Sequence, residues 1–125
     1  MNVCTITTHT QYGNVHVHTS QLLQLGNFYI LAVPTEMTTM SGRRVRAAVK
    51  AAIDANTGRS DATVVIAGLS NAYADYTTTF EEYQAQRYEG GSTIYGVCVC
   101  ACVCGVCVFI VCVRACVRAC VRVCE

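Results

Sequence analysis

The chain has 125 residues, a formal net charge of +1 and 53 % hydrophobic residues. That length suits one small domain, and so balanced a charge gives no bulk attraction to nucleic acid or to an anionic membrane. The averages hide two compositions: residues 21–96 are ordinary globular sequence without cysteine, whereas nine of the ten cysteines lie beyond Gly96.

Residues 1–20 (MNVCTITTHTQYGNVHVHTS) are polar, rich in Thr and His, and weakly patterned. Thr-His alternation is also what CA-repeat DNA encodes, so this stretch stays unassigned and suspect. It lacks the basic start, apolar run and small residues of a secretory leader. Residues 21–34 (QLLQLGNFYILAVP) predict a strand or hairpin. Gly26-Asn27 signals the turn, and the apolar run from Phe28 to Val33, stopped by Pro34, suggests a strand buried on both faces.

Residues 40–56 (MSGRRVRAAVKAAIDAN) predict an amphipathic helix, with Val45, Ala48, Val49, Ala52 and Ile53 at three-and-four spacing. Ser41 or Thr39 is the expected cap, and Asn56 to Gly58 the stop. Residues 62–69 (ATVVIAGL) predict a second buried strand ending at Gly68. Strand, helix and strand in this order favour a parallel pair joined by a right-handed crossover. The fold class is therefore α/β. Residues 70–96 are polar and aromatic, with five of the seven tyrosines and a short helix expected over Glu81–Tyr88, capped by Thr79.

Residues 97–125 read differently. Val-Cys alternation is what a run of alternating G and T encodes (GTG is Val, TGT is Cys), and Val-Arg-Ala-Cys follows from GTG CGT GCG TGT. The tail is read as translated dinucleotide repeat, with Val97 opening an unspliced intron. Two other readings compete with it. Cys98, Cys100, Cys102 and Cys104 could gather soft metals as thiolates. Residues 96–113 are uncharged over a length that just spans a membrane, with Arg114, Arg118 and Arg122 beyond. The membrane reading gives a non-catalytic, membrane-associated or structural product with a hydrophobic Cys-rich tail.

Residues 24–96 resemble the neutral ceramidase family, through AVPTEMTTMSGRRVR and VVIAGLSNAYADYTTTFEEYQAQRYEGGSTIYG. The resemblance implies a fragment from the C-terminal part of a larger catalytic domain. It implies a zinc-dependent amidohydrolase that splits ceramide with water into sphingosine and a fatty acid. It places the parent enzyme outside the cell or at the plasma membrane. In that family zinc is held by two histidines, a glutamate and a tyrosine. The Pro-Gly-Glu-x-Thr-Thr segment is here Pro34-Thr35-Glu36-Met37-Thr38-Thr39, which makes Glu36 a zinc ligand with Thr35 in place of the usual glycine. The Asn-x-Tyr-x-x-Tyr segment is Asn71-Ala72-Tyr73-Ala74-Asp75-Tyr76, which makes Tyr76 the second ligand and Tyr73 the alternative. Gln-Arg-Tyr-Glu points to Tyr88 as the catalytic phenol at the carbonyl oxygen.

The two histidines and a serine nucleophile are expected far upstream, leaving two of four ligands here and no activity in this chain alone. Thr8-His9-Thr10 is similar to the upstream Thr-His-Thr-His-Ser-Gly-Pro, but Gln11 stands where the second His belongs, so His9, His16 and His18 are read as outside the site. The family also continues past Ile-Tyr-Gly with Pro-His-Thr, where Gly96 here runs into Val97. From pattern alone, other readings stand beside these. Glu36 reads as a solvated loop carboxylate. The tyrosines read as an aromatic cluster with hydrogen-bonded tips. Arg43-Arg44 reads as a solvated or ion-paired helix face rather than a substrate-facing pair.

Overall fold

A computed structural model describes the backbone of residues 2–12 and 14–94, with side chains from Thr19 onward. The repeat, thiolate and membrane-span readings of the tail lie outside the described residues. So do Tyr95 and the side chains of His9, His16 and His18.

The chain opens with a long hairpin. β1 (Asn2–Tyr12) runs antiparallel to β2 (Asn14–Leu25), from Asn2 opposite Gln24 to Tyr12 opposite Asn14. The turn at Gly26-Asn27 then leads to β3 (Phe28–Ala32), antiparallel to β2, with Leu25 facing Phe28. Gly26 has φ 63, the left-handed conformation a two-residue hairpin loop asks of its first residue. After β4 (Glu36–Met37) comes α1 (Thr39–Thr57), and then β5 (Thr63–Ala67), which returns parallel to β3 with Leu31 beside Ile66. The main sheet has four strands in the order β1-β2-β3-β5. The expected strand-helix-strand unit with a parallel pair is thus present, and an α/β fold class holds.

α1 forms for the reason its spacing gives. Val45, Val49, Ala52 and Ile53 are buried along one face, joined by Ser41, while Ala48 is half-buried and Arg43 and Arg44 are exposed. That face covers Tyr29, Leu31, Val33 and Val64 of the sheet side, with Leu22 and Ala62 at the margins, as one apolar cluster. Burying a Leu, Ile or Val side chain contributes about 1.5–3 kcal/mol. The cap differs from the expected Ser41 or Thr39. It is Thr38, in extended conformation (φ −61, ψ 159), whose hydroxyl accepts from the Ser41 N–H. Thr39 already lies in the helix, and Ser41 is the donor of the cap bond. The helix stops at Gly58, φ 67, whose N–H reaches the Asp54 carbonyl.

The expectation that the Phe28–Val33 strand is buried on both faces holds only in part. Tyr29, Leu31 and Val33 are buried against α1, while on the other face Ala32 is buried, Ile30 is half-buried and Phe28 is exposed. The expected helix over Glu81–Tyr88 is also corrected, because it divides. α2 (Phe80–Ala85) follows β6 (Tyr76–Thr77), and α3 (Tyr88–Gly91) begins separately after Gln86 turns left-handed at φ 48. Close packing goes with the break. A Cβ on Gly90 would lie 3.1 Å from the Glu82 carbonyl oxygen, so α3 folds back onto α2 where only glycine fits without a shift. Thr79 caps α2 as expected. Among the described residues no helix is long and apolar enough to cross a membrane.

Candidate functional site

Two short strands build the site. β4 and β6 pair in parallel as a sheet of their own, with Glu36 opposite Tyr76 and Met37 opposite Thr77. The Glu36 N–H donates to the Asp75 carbonyl at 2.9 Å and the Thr38 N–H to Thr77 at 3.1 Å. Thr35 adds a side-chain tie, since its hydroxyl accepts from Thr77 Oγ1 at 3.0 Å.

The loop between β5 and β6 is bent and pinned. Leu69, Asn71 and Asp75 have φ of 56, 67 and 50, a region that costs non-glycine residues on the order of 1–3 kcal/mol each. The surroundings hold it there. Ser70 N–H bonds the Val33 carbonyl at 2.9 Å and Ala74 N–H the Pro34 carbonyl at 2.8 Å. Asn71 Nδ2 reaches back to the Thr19 carbonyl and to Gln21 Oε1, at 3.3 and 3.1 Å. Gly68 lets the loop pass β4 closely, because a Cβ there would lie 3.2 Å from the Thr35 carbonyl oxygen.

This loop delivers the phenols to the carboxylate. Tyr73 donates its hydroxyl to Glu36 Oε1 at 3.0 Å, and Tyr76 stands opposite Glu36 in the strand pair. Glu36 as a hydrogen-bond acceptor is the chief cause that raises both phenols above the usual tyrosine range, with desolvation and its negative charge adding to it. Both hydroxyls therefore hold their protons at neutral pH. Tyr88, first residue of α3 and 74 % exposed, sets its ring edge-on to Tyr76, with centroids 5.6 Å apart and an interplanar angle of 80°. Glu36, Tyr73, Tyr76 and Tyr88 are thus gathered at one place. Tyr73 makes the direct bond to the carboxylate and Tyr76 is its neighbour across the strand pair, so the choice between them as a ligand rests on function.

Glu36 and the phenols are oxygen donors, of which a zinc ion would take the carboxylate as it stands and a phenol only once its proton had left. Among the described residues no three His, Cys, Asp or Glu side chains converge, so this segment offers a partial set. Arg43 and Arg44 lie elsewhere. Arg44 makes a two-pronged pair with Glu81 at 2.9 and 3.3 Å, and Arg43 approaches the Met40 sulfur at 3.9 Å.

Sequence reasoning missed the residues that hold the site together. Glu82 completes a reciprocal capping box with Thr79 and also accepts from Thr38 Oγ1 at 2.7 Å. The Thr79-x-x-Glu82 spacing carried the first of these bonds and nothing in the sequence carried the second. Burial works against the charge on Glu82, but the Thr79 N–H and the Thr38 and Thr79 hydroxyls outweigh it and hold the carboxyl below the usual range.

Comparison with known proteins shows the family. The family model described as neutral/alkaline non-lysosomal ceramidase, N-terminal, matches residues 1–103. The chain belongs to the neutral ceramidase family. Neutral ceramidase 1 of Arabidopsis thaliana is 58 % identical over 80 residues, which is 61 % of this chain and 10 % of the plant protein. Neutral ceramidase of Drosophila melanogaster is 58 % identical over 76 residues, and again 61 % of this chain aligns with 11 % of the relative. The solved neutral ceramidase of Pseudomonas aeruginosa superposes with a TM-score of 0.68 at 42 % identity, over 79 % of this chain and 15 % of that one. A ceramidase structure complexed with C2 gives 0.67 at 40 % identity. The chain spans about a tenth of the length of the curated relatives it matches.

Proposed function

We propose that residues 21–96 supply part of the zinc site and a carbonyl-binding phenol of a ceramide amidohydrolase, which splits the amide of ceramide with water. Family membership supports the reaction class. The observation that supports the site is the gathering of two phenols at one carboxylate, Tyr73 bonded to Glu36 and Tyr76 paired opposite it. The segment belongs to the C-terminal part of the catalytic domain on the resemblance, which puts the histidines and the serine upstream. The family model that matches is described as N-terminal, and the placement near the end of the catalytic domain rests on the resemblance.

Glu36 would hold zinc through a carboxylate oxygen and Tyr76 through its phenolic oxygen, the phenol releasing its proton to solvent as the metal binds. Bound zinc supplies Lewis acidity for the amide carbonyl and for a water molecule. Tyr88, exposed beside Tyr76, would donate its hydroxyl proton to the carbonyl oxygen as negative charge develops there. Tyr73 would keep its hydrogen bond to Glu36 and so orient the carboxylate. Two ligands alone hold zinc weakly, so the 125-residue chain by itself is expected to release no fatty acid from ceramide.

The test uses a full-length family enzyme carrying this segment. Glu36→Ala should lose the zinc and nearly all activity, and Tyr76→Phe should weaken zinc retention against a chelator. A Glu36→Ala enzyme with full zinc and full turnover ends the proposal. Loss of zinc in Tyr73→Phe but not in Tyr76→Phe moves the ligand to Tyr73.

A further inference from the structure

Glu82 lies outside the cluster of Glu36 and the tyrosines, yet its carboxylate connects the strands that carry them. Oε2 accepts the Thr38 hydroxyl at 2.7 Å and the Thr79 N–H at 2.8 Å. The Glu82 N–H returns a bond to Thr79 Oγ1 at 3.2 Å, and Thr38 Oγ1 accepts in turn from the Ser41 N–H at 3.3 Å. One oxygen therefore serves the starts of two helices, α1 and α2. Their caps continue directly from the paired strands, Thr38 from Glu36–Met37 and Thr79 from Tyr76–Thr77 with Thr78 between. Beyond Glu82 the chain turns into α3, where Gly90 packs on the Glu82 carbonyl and Tyr88 leans on Tyr76.

A helix cap needs only a local partner. The capping box of Thr79 with Glu82 is complete without Thr38, and Thr38 caps α1 without Glu82. The bond between them is the extra element, 44 residues apart in sequence. The two strands it closes are each two residues long, too short to hold their own register by backbone bonds. We infer that Glu82 is a positioning residue. By binding Thr38 and Thr79 at once it locks the ends of β4 and β6 together and holds Glu36 in register with Tyr76. This rests on the ceramide amidohydrolase reading for its effect on turnover, and on the fold alone for its effect on the strand pair.

The experiment separates capping from clamping in a full-length family enzyme carrying this segment. Thr38→Asp keeps a good N-cap for α1 but sets a carboxylate against Glu82 with no proton to donate. Glu82→Gln keeps the acceptor for the Thr79 N–H, as a capping box allows, and brings an amide N–H₂ able to donate to Thr38→Asp. Thr38→Asp alone should lower kcat about 10- to 100-fold, as expected for small displacements of reacting groups, with KM little changed. Amide exchange at Glu36, Thr38 and Tyr76 should accelerate while α1 stays protected. Adding Glu82→Gln should restore at least half of the lost protection and raise kcat about 5-fold or more over Thr38→Asp alone.

If exchange and kcat respond additively, with no rescue, Glu82 is a local cap and the inference is overturned. If exchange at the strand pair is rescued in an enzyme that never hydrolyses ceramide, the clamp stands and the substrate reading fails. If the parent hydrolyses ceramide and exchange never changes, the substrate reading stands and the clamp fails.

Discussion

The side of the molecule around α1 and the side around β4 and β6 are built on different principles. The first is regular: a 19-residue helix lies on a parallel strand pair, with Leu31, Val49 and Ile53 fully buried and no polar partner needed. The second has strands of two residues, helices of six and four, and left-handed Leu69, Asn71 and Asp75. It is held by hydroxyls and carboxylates: Thr35 with Thr77, Thr38 with Glu82, Tyr73 with Glu36, and Thr78 beside Thr93 at 3.4 Å. Apolar packing is indifferent to direction and tolerates repacking. Hydrogen bonds fix direction, which a site that must hold a carboxylate against phenols requires. Among the described residues, the non-glycine left-handed positions are confined to the second side.

The comparison breaks most visibly if the core is cut. Ile53→Ala or Leu31→Ala in a full-length family enzyme should cost about 2–5 kcal/mol, through lost burial and the cavity left behind. Denaturant unfolding measures it, with zinc content and turnover of the remaining folded enzyme near normal. A change under 1 kcal/mol would show that the α1 face is not a shared core in the complete protein.

Tyr88→Phe probes the other half and should leave stability alone. The side chain is exposed and its ring stays on Tyr76, so the melting temperature and the zinc should be unchanged. Turnover should fall on the order of 100-fold, the usual consequence of removing one donor to a developing oxyanion. Unchanged kcat sinks the catalytic assignment of Tyr88, and loss of zinc would make it a ligand instead.

The same division decides what was legible in the sequence. α1 announced itself because Val45, Val49, Ala52 and Ile53 repeat at the period of the helix and all bury on one face. β3 and β5 did so through short β-branched and aromatic runs, and Gly26 and Gly58 marked turns that need positive φ. The β1–β2 hairpin did not, because apolar alternation in residues 1–20 is confined to Val15-His16-Val17-His18 and a backbone ladder leaves no mark in polar sequence. The site was legible only through family resemblance. Nothing in the pattern of Glu36 and Tyr76, forty positions apart, says that a loop with left-handed Leu69 brings them together. Asn71 and Asp75 are the residue types that tolerate such a conformation, but leucine carries no such signal. The split after α2 was hidden for the same reason, since it depends on how Gly90 meets a carbonyl.

The smallest expected effect sharpens the contrast, because it tests a polar contact that positions nothing. Arg59 grips Asp61 with two bonds, Nε to Oδ1 at 2.9 Å and Nη2 to Oδ2 at 2.7 Å, on the exposed approach to β5. The hydrogen bonds from Arg59 bring the Asp61 carboxyl from 3.8 down to about 2, against a smaller opposing effect of desolvation. The folded value lies below the unfolded one, so the folded state favours the ionised form. The stabilisation is complete above the unfolded value and is lost as pH falls through 3.8 toward 2. Both partners are about half exposed, so solvent and salt screen the pair and its contribution should be slight. Asp61→Asn should therefore lower the melting temperature marginally at pH 6 and low salt, and by less in salt. The difference from the parent should close as the pH is brought down toward 2. A gap that stays constant down to the lowest pH at which the enzyme holds together would show that Asp61 acts through its backbone, whose carbonyl takes the Asn27 amide at 3.4 Å, rather than through its charge. A large gap at neutral pH, with turnover reduced, would place this pair among the positioning contacts and erase the line drawn between the two halves.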